Sequence, residues 1–350
     1  MKTLPLKLMA VLLIIPLCSF VTREIKGKYT KEKKIQKVYL VNADAALEVN
    51  NQYGNIYVTT WDENKTSVDV VIKVSGNSED KVNKRLNGID VALNATKSLV
   101  ACKTQIEGSG SGTSIEINYT IKIPRKGAIT LKNQYGGITL GTINGASQLK
   151  CQYGNINAGE LNNGSNYINM EYCDGSSITY INNVDIKCEY SGVNIAKANT
   201  VNAKSSYTNF SIDNVKDISL KAEYGDVKIK SADRINVNGD YVGLRFGTIN
   251  KSLNLSSNYG NVDIKNIASS AEFITINSTY TNVNINMSEN FSFDFDFSLN
   301  YGNLNEQRGL NFTQKNIKNT SAQYKGYYKK SGVNKVSINC EYGNINLGSN

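Results

Sequence analysis

Through the middle of this chain apolar and polar residues alternate with a period of two, and a tyrosine interrupts the alternation at regular intervals. The residues four and two places before successive tyrosines read Leu131/Asn133, Leu149/Cys151, Ile168/Met170, Ile186/Cys188, Ala203/Ser205 and Leu220/Ala222. Beyond the tyrosines the alternation restarts as Ile138/Leu140, Ile156/Ala158, Val193/Ile195, Phe210/Ile212, Val227/Ile229, Leu244/Phe246, Val262/Ile264 and Val283/Ile285. One apolar face at period two specifies β-strands, so each unit is a pair of strands that share an interior and meet at the tyrosine. The tyrosines are Tyr135, Tyr153, Tyr172, Tyr190, Tyr207, Tyr224, Tyr241, Tyr259, Tyr280 and Tyr301, spaced by 17 to 21 residues, with outlying copies at Tyr53 and Tyr342. Units this short cannot bury their own apolar faces and must stack on their neighbours. The pattern predicts an all-β fold, a parallel β-solenoid with rungs of 17–21 residues and right-handed crossovers.

Individual columns of the repeat carry further expectations. Two places after the tyrosine stand only Gly, Asn or Asp: Gly137, Asn155, Asp174, Gly192, Asn209, Asp226, Gly243, Asn261, Asn282 and Asn303. Those residue types tolerate a left-handed backbone, so this column is expected to turn the corner in every rung. The unit at Tyr172 is longer by about two residues and is expected to bulge. The tyrosines themselves are either a ladder for stacking on sugar rings or corner residues that stack on one another. Their place in the pattern favours the second reading.

On the outward strand face, Lys132, Lys150, Asn169, Lys187, Lys204 and Lys221 stand three places before the tyrosine, and Gln134, Gln152, Glu171, Glu189, Ser206, Glu223 and Asp240 one place before it. A lysine column beside an acid and amide column is either a track for an anionic polymer or a self-neutralising, soluble face. Weak pairing between exposed neighbours favours the latter.

The two ends are less regular. Tyr53-Gly54-Asn55-Ile56 is one rung-like unit, followed by strands near Val68–Val74, Ser98–Ile106 and Ser114–Ile123 and by a short helix that Ser78 is expected to cap, with Lys81, Lys84 and Arg85 exposed. Near the other end Gln323–Lys335 is a basic, aromatic loop containing Tyr324, Tyr327 and Tyr328, either a ligand loop or a solvated hairpin, ahead of a closing strand Lys335–Tyr342.

Charge and composition then narrow the picture. Lys2 and Lys7, an apolar run from Leu8 to Leu17 and Cys18-Ser19 have the order of a secretory signal peptide. The run is too short to cross a bilayer, and Leu17 occupies the place where a lipid-attachment pattern wants a small residue. Seven basic residues against two acidic ones give residues 21–37 a charge of +5. The formal +9 of the whole chain therefore falls to +2 for residues 38–350, which removes most of the argument for a nucleic-acid partner.

The chain contains no histidine, the commonest general base and a common zinc ligand. Cys102, Cys151, Cys173, Cys188 and Cys340 show no metal or redox spacing. Neither a metal, a cofactor nor a transmembrane span of the mature chain is expected. The organisation reads as 1–20 signal peptide, 21–37 basic linker, 38–125 β-rich capping part with one short helix, 126–304 solenoid repeats, and 305–350 C-terminal loop and closing rung.

The run VNNQYGNIYVTTWDENKTSVDVVIKVSG, a short helix and repeated Tyr-Gly-Asn-Ile units ending on CEYGNINLGSN resemble the bacterial putative-adhesin family of exported proteins common in Bacteroidetes. The resemblance covers most of residues 38–350 and implies a β-solenoid in the cell envelope, with no catalytic residues. The expectation is a non-enzymatic, adhesin-like binding or structural module in the periplasm or on the surface of a Gram-negative cell, with a glycan or an envelope protein as partner. Its rivals are a polysaccharide lyase or hydrolase, for which Asp294 and Asp296 are the best acids, and a periplasmic scaffold or sensor partner.

Overall fold

The computed structural model describes residues 27–108 and 110–349; the expected signal peptide, Cys18 and residues 21–26 of the expected linker lie outside them. The described strands form one largely parallel sheet that winds through the chain, with a single short helix near its start. Between 126 and 304 neighbouring rungs pair in parallel and in register. Leu131 faces Leu149, and the row continues through Ile168, Ile186, Ala203 and Leu220. Beyond the tyrosines a second row runs Leu140, Ala158, Ile178, Ile195 and Ile212.

Each rung has one more inward position than the two strands account for. In the rung that begins at Gly192 the buried positions are Val193, Ile195, Ala198, Val201, Ala203 and Ser205; the next repeats them as Phe210, Ile212, Val215, Ile218, Leu220 and Ala222. The two steps of three residues, around Ala198 and Val215, bend the chain where the sequence suggested only a polar arc. Asparagines line this return. Asn199 donates to the Oδ1 atoms of Asn182 (3.3 Å) and Asn183 (3.1 Å), and Asn162 donates to Asn144 (2.9 Å). A rung therefore lends its neighbours apolar contact on the inside and amide hydrogen bonds at the bend.

The tyrosine corner differs from expectation. All twelve repeat tyrosines have a left-handed backbone, with φ between 48° and 60°, whereas Gly137, Asn155, Gly192 and Asn261 do not. The Gly/Asn/Asp column has another cause. Asn55 Oδ1 accepts the Gly137 N–H (2.8 Å), Asn282 Oδ1 the Asn344 N–H (2.9 Å) and Asn344 Oδ1 the Asn303 N–H (3.0 Å). At Gly137, Gly192 and Gly243 a Cβ would collide with Oδ1 of Asn155, Asp174 or Asp226 in the adjoining rung. Small size and a short acceptor are what the column selects. The Tyr172 corner is longer by one residue: Ser176 aligns with Val193, and Gly175 takes up the excess at φ 69°.

At the N-terminal end the chain doubles back. Strands β1 (Tyr29–Leu40), β2 (Ala46–Gln52), β3 (Ile56–Trp61) and β4 (Lys65–Gly76) precede helix α1 (Glu79–Asn87), and β5 (Ile89–Ala95), β6 (Leu99–Ile106) and β7 (Thr113–Pro124) follow it. The β2–β3 rung lies between β6–β7 on one side and the Tyr135 rung on the other. Antiparallel partners then close the end: β5 on β6, β4 on β7 and β1 on β4. Much of the expected basic linker is thus strand β1. Its lysines are edge-strand residues, with Lys31 paired to Glu79 (2.9 Å) and Lys33 to Asp90 (3.2 Å), a placement that discourages pairing with other chains. Helix α1 buries Val82; Ser78 is its N-cap residue but makes no side-chain capping bond.

At the C-terminal end the last segment is not the closing rung. Strand Lys335–Glu341 inserts between Phe273–Thr279 and Phe293–Asn300, so that Ile338 faces both Ile276 and Phe297. The terminal rung is the phenylalanine-rich one, with Phe291, Phe293 and Phe297 fully buried. Left open, it would expose its apolar interior. An antiparallel hairpin of Asn311–Ile317 and Ser321–Tyr328 covers it, and Tyr324 and Tyr328 pack on the core. Gln323–Tyr328, expected as loop, is the inner strand of this cap.

Candidate functional site

In-register stacking turns each column of the repeat into a row on the surface, and three rows dominate. The first is the tyrosine column. Its rings stack face to face from Tyr53 through Tyr135, Tyr153, Tyr172, Tyr190, Tyr207, Tyr224, Tyr241, Tyr259 and Tyr280 to Tyr342 and then Tyr301, with centroids 4.7–5.2 Å apart and planes within 11°. Each ring is about half exposed, and in all but the two end members, Tyr53 and Tyr301, neighbouring rings occupy both faces. A sugar ring therefore cannot stack on the ten inner rings, whose edges and hydroxyls alone reach solvent. Tyr342 sits between Tyr280 and Tyr301, and burial together with those two phenols raises its pKa.

The second row is cationic. Lys132, Lys150, Asn169, Lys187, Lys204 and Lys221 are consecutive partners across six strands, and the structure extends the row to Asn50 and Lys103. Lys103 escaped the sequence reading because its strand, β6, carries no tyrosine to align on. Beside it lies the acid and amide row. Lys187 pairs with Glu189 (2.6 Å) and Lys221 with Glu223 (2.9 Å), and each hydrogen bond to its carboxylate raises the lysine pKa. Gln134 donates to Gln152 (2.9 Å) and Gln152 to Glu171 (3.1 Å). The self-neutralising reading therefore describes the Lys187–Glu223 part of the face. Lys132 and Lys150 make no ion pair among the described residues.

Other sequence candidates have structural work. Asp294 accepts from Ser331 Oγ (2.7 Å) and the Gly332 N–H (2.9 Å), and Asp296 pairs with Lys325 (3.0 Å), so both acids tie down the terminal cap. Tyr324, Tyr327 and Tyr328 are half-buried in that cap, and the Arg308 guanidinium lies 4.9 Å from the Tyr328 ring centroid. The five described cysteines are free and buried. Burial pushes the Cys102 thiol up to about 12, and the Cys173 sulfur together with burial pushes the Cys151 thiol up as well. Among the described residues no cluster of acids or thiols has the arrangement of a metal site.

The third row is a groove on the lysine-bearing face. It has a volume of about 500 Å³ and is lined by Thr130, Gln148, Tyr167, Asp185, Thr200 and Asn202. Nothing in the tyrosine spacing marks Tyr167, because it stands on the strand face five places before a corner tyrosine. None of the described helices is long and apolar enough to cross a membrane.

No curated protein matches the chain. Among solved structures, a putative adhesin from Bacteroides fragilis is 14% identical, covers 90% of this chain and 97% of its own length, and has a TM-score of 0.29. A putative adhesin from Parabacteroides distasonis is 12% identical over 90% of this chain and 97% of its own, at a TM-score of 0.30. A putative cell adhesion protein from Clostridium sporogenes is 12% identical over 91% of this chain and 100% of its own, at 0.20. The Toastrack DUF4097 profile matches residues 24–348, and the chain belongs to that family.

Proposed function

We propose that this chain is an exported cell-envelope β-solenoid, its rungs joined by right-handed crossovers, that acts as a non-enzymatic recognition module at the periplasmic or outer surface. The observation that carries this reading is the in-register surface: residues far apart in sequence become straight rows, one polar group per strand, at the roughly 4.8 Å spacing of a β-sheet. A periodic face of this kind suits an extended, repetitive partner such as a cell-surface glycan better than a compact substrate. The acids best placed for lyase chemistry are engaged in the terminal cap, which favours binding over turnover.

Two measurements on the source cells test it. Protease shaving of intact cells should remove the chain, or osmotic release should free it with the periplasm. The full-length protein should leave uronic-acid polymers uncleaved. Retention in the cytoplasm, or turnover of such a polymer, would overturn the proposal.

A further inference from the structure

The groove on the lysine-bearing face holds an exposed aromatic side chain beside the lysine row. Tyr167 is 41% exposed, and its ring has no stacking partner among the described residues. The corner tyrosines are stacked on aromatic neighbours; Tyr167, the one aromatic residue lining this groove, is flanked by Gln148 and Asp185 instead. It lies in register between Gln148 and Asp185, and Asn202 donates to Asp185 Oδ1 (2.9 Å) on the next strand. Hydroxyl and amide groups of Thr130, Gln148 and Asn202 thus surround an aromatic platform, with Asp185 as an acceptor.

Along one bank of the groove run Lys132 and Lys150, each two residues further along its strand and therefore on the same face. A second concavity continues from Thr130 and contains Asn50, Asn94, Lys103 and Lys132. Platform, amides and cations lie in line along the axis of the stack.

We infer that this groove binds a linear acidic polysaccharide, one sugar ring stacked on Tyr167 and the carboxylates of neighbouring sugars held by Lys132 and Lys150. The C–H face of a pyranose meets the negative face of an aromatic ring, its hydroxyls use the amides and Asp185, and its carboxylates meet Lys132 and Lys150, which like Lys103 and Lys204 of the same row make no ion pair among the described residues. Asp185 is the one carboxylate lining the Tyr167 groove, and Glu48, opposite Thr130, is the one lining the second concavity. The bond from Asn202 holds Asp185 beneath the sugar hydroxyls rather than beside the lysines. This assignment rests on the recognition reading above and deepens it.

The test uses the purified chain with oligogalacturonate and alginate oligomers, against dextran as a neutral glycan and polyglutamate as a polyanion that is not a sugar. The wild-type chain should bind at least one acidic oligomer, more weakly at higher salt, and should bind dextran and polyglutamate at least tenfold less tightly. Tyr167→Ala should weaken binding at least tenfold, Tyr167→Phe should retain it, and Lys150→Gln should weaken it and flatten the salt dependence. Lys228→Gln, on the strand beyond the corner, should change nothing.

Absence of binding to both acidic oligomers, equal binding of polyglutamate, or binding indifferent to Tyr167→Ala would each overturn the site. The last two results would leave a recognition role standing. Cytoplasmic retention would overturn that role without touching the measured affinities.

Discussion

Tyr207 allows the corner to be taken apart energetically. Its ring lies 4.9 Å from Tyr190 and 4.7 Å from Tyr224, it is half exposed, and its backbone is left-handed at φ 49°. Two stacked contacts are worth about 1–3 kcal/mol in total beyond area burial. Burying half of a tyrosine ring removes roughly 100 Å² from water, or about 2 kcal/mol.

Tyr207→Ala should therefore cost about 3–5 kcal/mol, since alanine keeps the backbone strain and loses both neighbours. Tyr207→Gly loses the same contacts but has no Cβ to strain, so it should be more stable than the alanine variant by about 0.5–1 kcal/mol. Tyr207→Phe should stay within about 0.5 kcal/mol of wild type, because the hydroxyl lies at the rim. Urea unfolding followed by circular dichroism gives the three values, with Trp61 fluorescence as a second probe to show whether the stack melts as one unit. An alanine variant within about 1 kcal/mol of wild type would refute the stacking account. A glycine variant no better than alanine would refute the strain account.

Three further outcomes follow from the same structure. Gly136→Val should cost more than about 2 kcal/mol, because its Cβ would strike the Gly54 carbonyl, whereas Val242→Gly, at the equivalent place in a rung with room, should behave as an ordinary loss of a buried side chain. The chain has no histidine, and the shifted group nearest neutrality is the Cys173 thiol, lowered to about 7 by its hydrogen bond with Cys151, so thermal stability should change only modestly between about pH 5.5 and 8.5, rising as that thiol ionises. It should fall in acid as Asp62 and Asp90, whose pKa values are lowered by Arg125 and by the Val91 N–H with Lys33, become protonated; it should fall in alkali as Lys187 and Lys221, with raised values, lose their protons. The five buried thiols should react with a thiol reagent only after unfolding, so prompt labelling of the native chain would contradict their placement.

Much of this architecture was legible because strand burial imposes a strict period of two and because one large residue marks every rung. What misled was chemistry with two explanations. Gly, Asn and Asp tolerate a left-handed backbone, but they also share small size and a short acceptor, and at Gly137 and Asn155 the second property decides. The tyrosines take the strained conformation because stacking on neighbouring rungs offsets it, and that compensation exists only once the rungs are assembled.

Spatial order at the ends was illegible for a different reason. Where the chain doubles back, as at β2 and at Lys335–Glu341, sequence neighbours are no longer rung neighbours, and no local pattern records the insertion. The lysines of Tyr29–Leu40 read as a tether for a related reason: edge strands use the same residues that solvate linkers. Tyr167 went unnoticed because its importance lies in what stands beside it on other strands.

Every surface row depends on the order and register of the rungs, and that order is tested most directly by paired cysteines on the exposed face. Asn277 faces Asn339, and Asn339 faces Ser298. A chain carrying Asn277→Cys with Asn339→Cys should form an internal disulfide on mild oxidation, as should Asn339→Cys with Ser298→Cys. Asn277→Cys with Ser298→Cys, two strands apart at roughly 9–10 Å, should not. A disulfide in that last pair, with none in the first two, would contradict the inserted rung and the rows built on it.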